Sequence, residues 1–290
     1  MEAEHVLAVG NELGEGPLWI PDQQALYWVD INKRLVYYFR PSTCQYTSWQ
    51  VDVAITCLGE RASGGFVVAT TRGFAFWHPQ DYELSFVARP EADKPSIRFN
   101  DGAVDCQGRF WAGTVNAESP RCRDGSLYRL DPDRSAHRMA RGFTCSNGIG
   151  WSPDNRTMYF ADTHQHAILA FDYDAVSGAI SNQRLFVHIP FEEGVPDGLA
   201  VDREGFVWCA HWNGWRVTRY SPAGKVQREV HLPVQKITSC AFGGSDLDEL
   251  YITTACEHLS EDERKRQPLA GDLFRIKVEV PGLATPQFTG

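Results

Sequence analysis

The chain has 290 residues, enough for one large β domain or two ordinary ones, and its 43% hydrophobic and 12% aromatic residues suffice for a core. A formal net charge of −9 argues against nucleic acid as a partner, and no apolar run approaches the ~18–20 residues of a membrane helix. The acidic start Met1-Glu2-Ala3-Glu4-His5 is unlike a signal peptide, and eight cysteines without a Cys-x-x-Cys pair read as reduced packing residues, so a cytoplasmic location is the expectation.

Residues 5–9 read as a lone strand with no unit of its own. Gly14-Glu15-Gly16-Pro17-Leu18-Trp19 opens a strand that is followed by others at 25–29 and 34–39. A weaker copy covers 54–59 and 65–70. Phe99-Asn100-Asp101-Gly102-Ala103-Val104 turns at Gly108 into 109–112, with a third strand at 126–130. Ser146-Asn147-Gly148-Ile149-Gly150-Trp151 leads into 157–161 and 167–171. Pro196-Asp197-Gly198-Leu199-Ala200-Val201 leads into 206–208 and 216–220. A last copy pairs 238–242 with 249–253 and 272–278. The mixed-sign run 261–266 between them reads as a solvated loop.

The glycines at 16, 102, 148 and 198 are spaced by 86, 46 and 50 residues, and the first interval is two units of 43. Six units of roughly 40–50 residues, mostly strand, have the period of propeller blades. The spacing therefore predicts an all-β chain, a six-bladed β-propeller with a central metal site. Continuous repeats without a linker predict a single domain over 1–290. The lone N-terminal strand is expected to complete the last blade beside 272–278 and so remove an open edge.

In a propeller the innermost strands line one channel, so equivalent points of each repeat meet on one rim. Glu15, Asn100, Asn147 and Asp197 stand at or beside the glycine that begins such a strand. Asn-Gly and Asp-Gly are ordinary turn dipeptides, but here they recur in phase with the blades. Glu15, Asn147 and Asp197 offer oxygen ligands only, which suits Ca²⁺, Mg²⁺ or Mn²⁺. Zn²⁺ stays open, without a His or Cys to favour it. Asp105 and Asp202 precede turn residues and are expected to cap hairpins. His164 and His166 are expected at a hairpin tip. The aromatics of His211-Trp212-Asn213-Gly214-Trp215 would either floor a pocket or pack between blades. No Gly-x-Ser-x-Gly elbow, phosphate loop or dinucleotide fingerprint is present.

The Gly14-Glu15-Gly16-Pro17-Leu18-Trp19 start, Arg98-Phe99-Asn100-Asp101-Gly102, Ser146-Asn147-Gly148 and Pro196-Asp197-Gly198 resemble, in order and spacing, the signatures of the SMP-30/gluconolactonase/regucalcin family. The resemblance covers essentially the whole chain. It implies a six-bladed propeller that hydrolyses sugar lactones with one divalent cation, Ca²⁺ foremost and Zn²⁺, Mn²⁺ or Mg²⁺ as alternatives. It further implies metal ligation by Glu15, Asn147 and Asp197, catalysis by Asp197, and substrate contacts from Arg98, Asn100 and Glu118. The Asn116-Ala117-Glu118-Ser119 stretch matches more loosely than the other motifs. The implied partner is a small-molecule aldonolactone such as gluconolactone, with no nucleic acid or membrane. Two readings compete: a metal-dependent hydrolase of phosphotriesters, and a non-enzymatic calcium-binding or interaction propeller.

Overall fold

Short strands apolar on both faces cannot stand alone as hairpins, and this chain buries them by stacking sheets around an axis. The computed structural model describes residues 3–290. It contains six four-stranded sheets, each a meander in chain order except the one that closes the ring. The inner strands are Gly14–Ile20, Ile55–Glu60, Ile97–Val104, Ser146–Trp151, Val195–Val201 and Ile237–Gly243. The blades are numbered here in that order, first to sixth. This is the six-bladed propeller expected from the repeat. Among the described residues no helix is long and apolar enough to cross a membrane.

The ring closes through Glu4–Leu7, which pairs antiparallel with Leu273–Lys277, His5 opposite Phe274. The lone N-terminal strand thus completes the last blade, as predicted, but ends at Leu7. Asp272 Oδ1 accepts the amides of Val9 at 3.0 Å and Gly10 at 2.9 Å and draws the chain out of the ladder.

The core is divided among the blade interfaces. Among the described residues six buried clusters occur, one between each pair of neighbouring blades. Between sixth and first, for example, the rings of Trp19 and Tyr251 stack with centroids 5.7 Å apart. Asp105 and Asp202 cap their hairpins and do more. Asp202 Oδ1 accepts the amides of Glu204 and Phe206, while Oδ2 accepts from the Trp208 indole and the Arg219 guanidinium. Asp105 repeats the arrangement with Gln107, Arg109 and Trp111.

Two features depart from the sequence reading. The run expected to be a loop is a short exposed α-helix, Glu261–Arg266, started by a capping box. Ser260 Oγ accepts from the Glu263 amide and the Glu263 carboxylate accepts from the Ser260 amide at 2.8 Å. The second is a C-terminal strap across the face where the inner strands end. It is tied to the fifth and sixth blades by Arg203 N to Pro281 O at 3.0 Å and Gly282 N to Leu247 O at 2.8 Å. It is tied to the second blade by Phe288 N to Glu60 O at 2.7 Å and Ala62 N to Phe288 O at 2.9 Å. Phe288 is fully buried between the second and third blades. Leu283, Ala284, Thr285 and Pro286 line one side of a largely apolar cavity of about 330 Å³ within the ring.

Candidate active site

Every inner strand carries one extra residue at the end where it enters the ring. Glu15 pairs with Val29 and Leu18 with Tyr27; Asn147 pairs with Ala161 and Ile149 with Phe160; Pro196 pairs with His211 and Leu199 with Cys209. The same irregularity follows Ile55, Phe99 and Ile237. A bulge breaks the two-residue alternation and re-aims side chains. Six bulges at one level therefore turn polar residues onto one rim. The glycines let the inner strands approach there. A Cβ on Gly148 would lie 2.6 Å from the Leu199 amide nitrogen, and one on Gly198 would lie 2.0 Å from Ser239 Oγ.

A chain of hydrogen bonds joins the third, fourth and fifth blades along this rim. Arg98 Nη1 donates to Asn100 Oδ1 at 2.7 Å, and Asn100 Nδ2 donates to Asn147 Oδ1 at 3.1 Å and to the Ser146 carbonyl at 2.9 Å. Asn147 Nδ2 donates to Thr163 Oγ1 at 2.9 Å, and Thr163 Oγ1 donates to the Pro196 carbonyl at 2.9 Å. The last link sets the polarity of the rest. A carbonyl can only accept, so the single hydroxyl proton of Thr163 goes to Pro196. Thr163 must then accept from Asn147, which leaves the amide oxygen of Asn147 turned away from Thr163.

The carboxylates around it are dry. Glu15, Asp101 and Asp197 are all buried. Burial pushes the Glu15 carboxyl well above the usual range, and Asp197, Asp101 and Glu257 add to the shift. Asp197 is raised in the same direction by burial, then by Asp101 and Glu257. Burial lifts Asp101 to about 6 against one amide hydrogen bond from Gly102. Among the described residues Glu15 Oε2 and Asp197 Oδ1 have no hydrogen-bond partner. Buried acceptors are rarely left so. Crowded carboxylates with unused lone pairs, beside an amide oxygen, form a donor set suited to a hard divalent cation. Among the described residues no three His, Cys, Asp or Glu side chains are arranged to hold a metal by themselves. A cation here would need the Asn147 amide as well as Glu15 and Asp197.

The family model for the SMP-30/Gluconolactonase/LRE-like region matches residues 13–256. The chain belongs to this family. It is 39% identical to a regucalcin of Xenopus laevis over 296 residues, covering 100% of this chain and 99% of that protein. It is 36% identical over 279 residues to a Bacillus subtilis (strain 168) protein named "Putative sugar lactone lactonase YvrE", covering 96% of this chain and 95% of that one. The crystal structure of a regucalcin from Agrobacterium tumefaciens, described as a calcium-binding protein, superposes with a TM-score of 0.94 at 26% identity, covering 99% of this chain and 97% of that one.

In this member of the SMP-30/gluconolactonase family, Glu15, Arg98, Asn100, Asn147 and Asp197 share one neighbourhood. Arg98 belongs to it by its bond to Asn100; burial lowers its pKa, against the opposing pull of Cys145, Glu15 and Glu257. Glu118 does not join them. It is exposed on the loop after strand Phe110–Asn116, where only its backbone amide bonds, to Asn116 Oδ1. His164 sits at a hairpin tip, in the turn Thr163–Gln165, with His166 next to it. His211 is buried with Nδ1 3.1 Å from the Glu193 carbonyl and Nε2 3.2 Å from the Tyr220 hydroxyl. Burial pulls its pKa down to about 4, so it packs as a neutral ring. Three site residues were not singled out in the sequence: Asp101, Thr163 and Glu257. Asp101 adjoins a residue that was, and strict alternation would send the two to opposite faces. The bulge between Phe99 and Gly102 overrides that alternation. Nothing in the sequence around Thr163 or Glu257 marks them.

Proposed function

We propose that this chain hydrolyses a sugar lactone such as gluconolactone to the aldonic acid, with one divalent cation bound by Glu15, Asn147 and Asp197. The observation that carries the reading is the pair of buried, unpartnered carboxylate oxygens, Glu15 Oε2 and Asp197 Oδ1, beside the Asn147 amide. The family's name and that of the Bacillus subtilis relative agree with a lactonase. Ca²⁺ is the favoured cation, since the donors are all hard oxygens and the Agrobacterium relative is described as calcium-binding.

When bound, the cation supplies positive charge and Lewis acidity to the site. The residues of the chain do the rest. Arg98, fixed to Asn100, presents its remaining guanidinium N–H donors to the hydroxyl and ring oxygens of the sugar, and Asn100, whose two amide protons go to Ser146 O and Asn147 Oδ1, offers its oxygen as an acceptor to a sugar hydroxyl. Asp197 takes a proton from the attacking water as general base. The water oxygen bonds to the acyl carbon, the bond from that carbon to the ring oxygen breaks, and the proton passes to the departing oxygen. The products are one carboxylic acid and one free hydroxyl. Glu118 is assigned a contact to a distal hydroxyl from the rim loop. The working unit is taken to be one cytoplasmic domain spanning 1–290.

The test is acid release from C5 and C6 aldonolactones by chelator-stripped protein, with Ca²⁺, Mg²⁺, Mn²⁺ or Zn²⁺ restored singly. Cation binding is measured in parallel by calorimetry. Activity that returns with a cation supports the reading. Cation binding without hydrolysis of any lactone overturns it and moves the assignment to phosphoesters or to a binding role.

A further inference from the structure

A second cavity of about 280 Å³ opens beside the rim, between the second and third blades, with Arg72, Arg89, Glu91, Lys94, Arg98 and Phe99 in its walls. Four of these residues are cations and one is a carboxylate. Glu91 is already engaged on both oxygens, accepting from the Tyr128 hydroxyl at 2.6 Å and from Lys94 Nζ at 2.8 Å. The three arginines have no ion-pair partner among the described residues, which leaves an excess of three positive charges on a chain whose net charge is −9. Like charges gathered in one concavity repel and raise the local potential for anions.

The walls are held in place. Thr70 Oγ1 accepts the amides of Arg72 at 3.0 Å and Gly73 at 3.1 Å, which fixes the turn carrying Arg72. The Arg89 guanidinium lies 4.0 Å from the centroid of the Phe86 ring. Arg98 bonds through Nη1, to Phe99 O and Asn100 Oδ1; among the described residues its Nε and Nη2 have no partner. One arginine therefore belongs to both the rim network and the cationic cavity.

We propose that this cavity is a subsite for an anionic group on the substrate. The preferred lactone then carries a phosphate ester or a carboxylate at the end remote from its acyl carbon. Guanidinium groups suit both, since each accepts paired N–H donors. The inference rests on the lactonase reading, and the experiment separates the two. Values of kcat/KM are measured for glucono-1,5-lactone, its 6-phosphate and a glucarolactone, using the natural protein and the R72A/R89A variant. Both arginines are exposed, so the substitutions leave the core untouched. The ratio of anionic to neutral lactone should exceed one in the natural protein. It should fall up to about twenty-five-fold in the variant, at about fivefold per exposed charge contact, and should also fall as salt is raised. Whichever anionic lactone gives the larger ratio names the group. Hydrolysis of the neutral lactone with a ratio of one or less, or a ratio unmoved by the substitutions, overturns the subsite and leaves the lactonase reading standing. Hydrolysis of none of the three with any cation removes both.

Discussion

Thr163 offers the sharpest test of how the rim is organised. Its hydroxyl both accepts from Asn147 and donates to Pro196 O, at 2.9 Å each. Thr163→Val keeps the shape and removes the oxygen. The Asn147 amide nitrogen and the Pro196 carbonyl, both buried, then lose this partner. At about 1–3 kcal/mol for each unsatisfied group, roughly 3 kcal/mol of stability should go. In a chain of this size that lowers Tm by about 6 °C, at about 2 °C per kcal/mol. The Asn147 amide also loses its orienting bond at nitrogen and keeps the one its oxygen accepts from Asn100 Nδ2. Loss of such an orienting partner typically weakens a metal site about tenfold or more. Calorimetric titration of Ca²⁺ into T163V, T163S and the natural protein reads this directly. T163S should bind almost as the natural protein does, because it keeps the hydroxyl. Equal cation affinity in T163V and T163S would refute the argument that Thr163 sets the polarity of the network.

Three further outcomes follow from the geometry. In chelated protein the raised carboxyls of Glu15, Asp197 and Asp101 stabilise the fold only while protonated; that contribution is whole below the unfolded value of about 4 and is lost as pH rises through the folded values, about 6 for Asp101. The rise in Tm on adding cation should therefore be larger at about pH 8 than at about pH 5 by scanning calorimetry, and equal increments would contradict it. Asp202→Ala removes the buried partner of the Arg219 guanidinium, leaving it the exposed Glu204 and Gln227, and also the acceptor of the Trp208 indole and two turn amides; it should cost about 3 kcal/mol in denaturant unfolding, whereas a loss typical of a surface pair, under about 1 kcal/mol, would show the contact to be incidental. Phe288→Ala empties a fully buried site between blades and should cost about 3–5 kcal/mol; an unchanged midpoint would mean that the strap adds nothing to the ring.

The blades were legible because each is local. Hairpin turns, apolar strands and a polar residue before a rim glycine recur within a few dozen residues, and the repeat makes each weak signal support the next. The pairing of Glu4–Leu7 with the last blade was legible for a different reason: one strand was left over and one edge was open. The candidate site was legible where chemistry and repeat coincide, at Glu15, Asn147 and Asp197, which the fold gathers on one rim. It was not legible where geometry depends on the bulges, since one inserted residue brings Asp101 in beside Asn100 against the alternation of a regular strand. Thr163 acts through a single hydroxyl whose partners lie 16 and 33 residues away, and no local pattern reports that. The helix Glu261–Arg266 was hidden by its charges, although Ser260 and Glu263 spell a capping box. The strap carries no repeat, so nothing marked it in advance.

That strap acts as a chord across a circle. Pairing of Glu4–Leu7 with Leu273–Lys277 fastens the circumference at one seam, and the strap spans the interior from the fifth and sixth blades to the second and third. In an open array of repeats, units can fray from an end one after another. Here, peeling the seam apart leaves blades on opposite sides still tethered. Disorder in one sector is transmitted across the diameter instead of travelling around the rim. Glu15, Asn100, Asn147 and Asp197 are drawn from the first, third, fourth and fifth sectors of that circle, so the centre keeps its shape only while the whole hoop does.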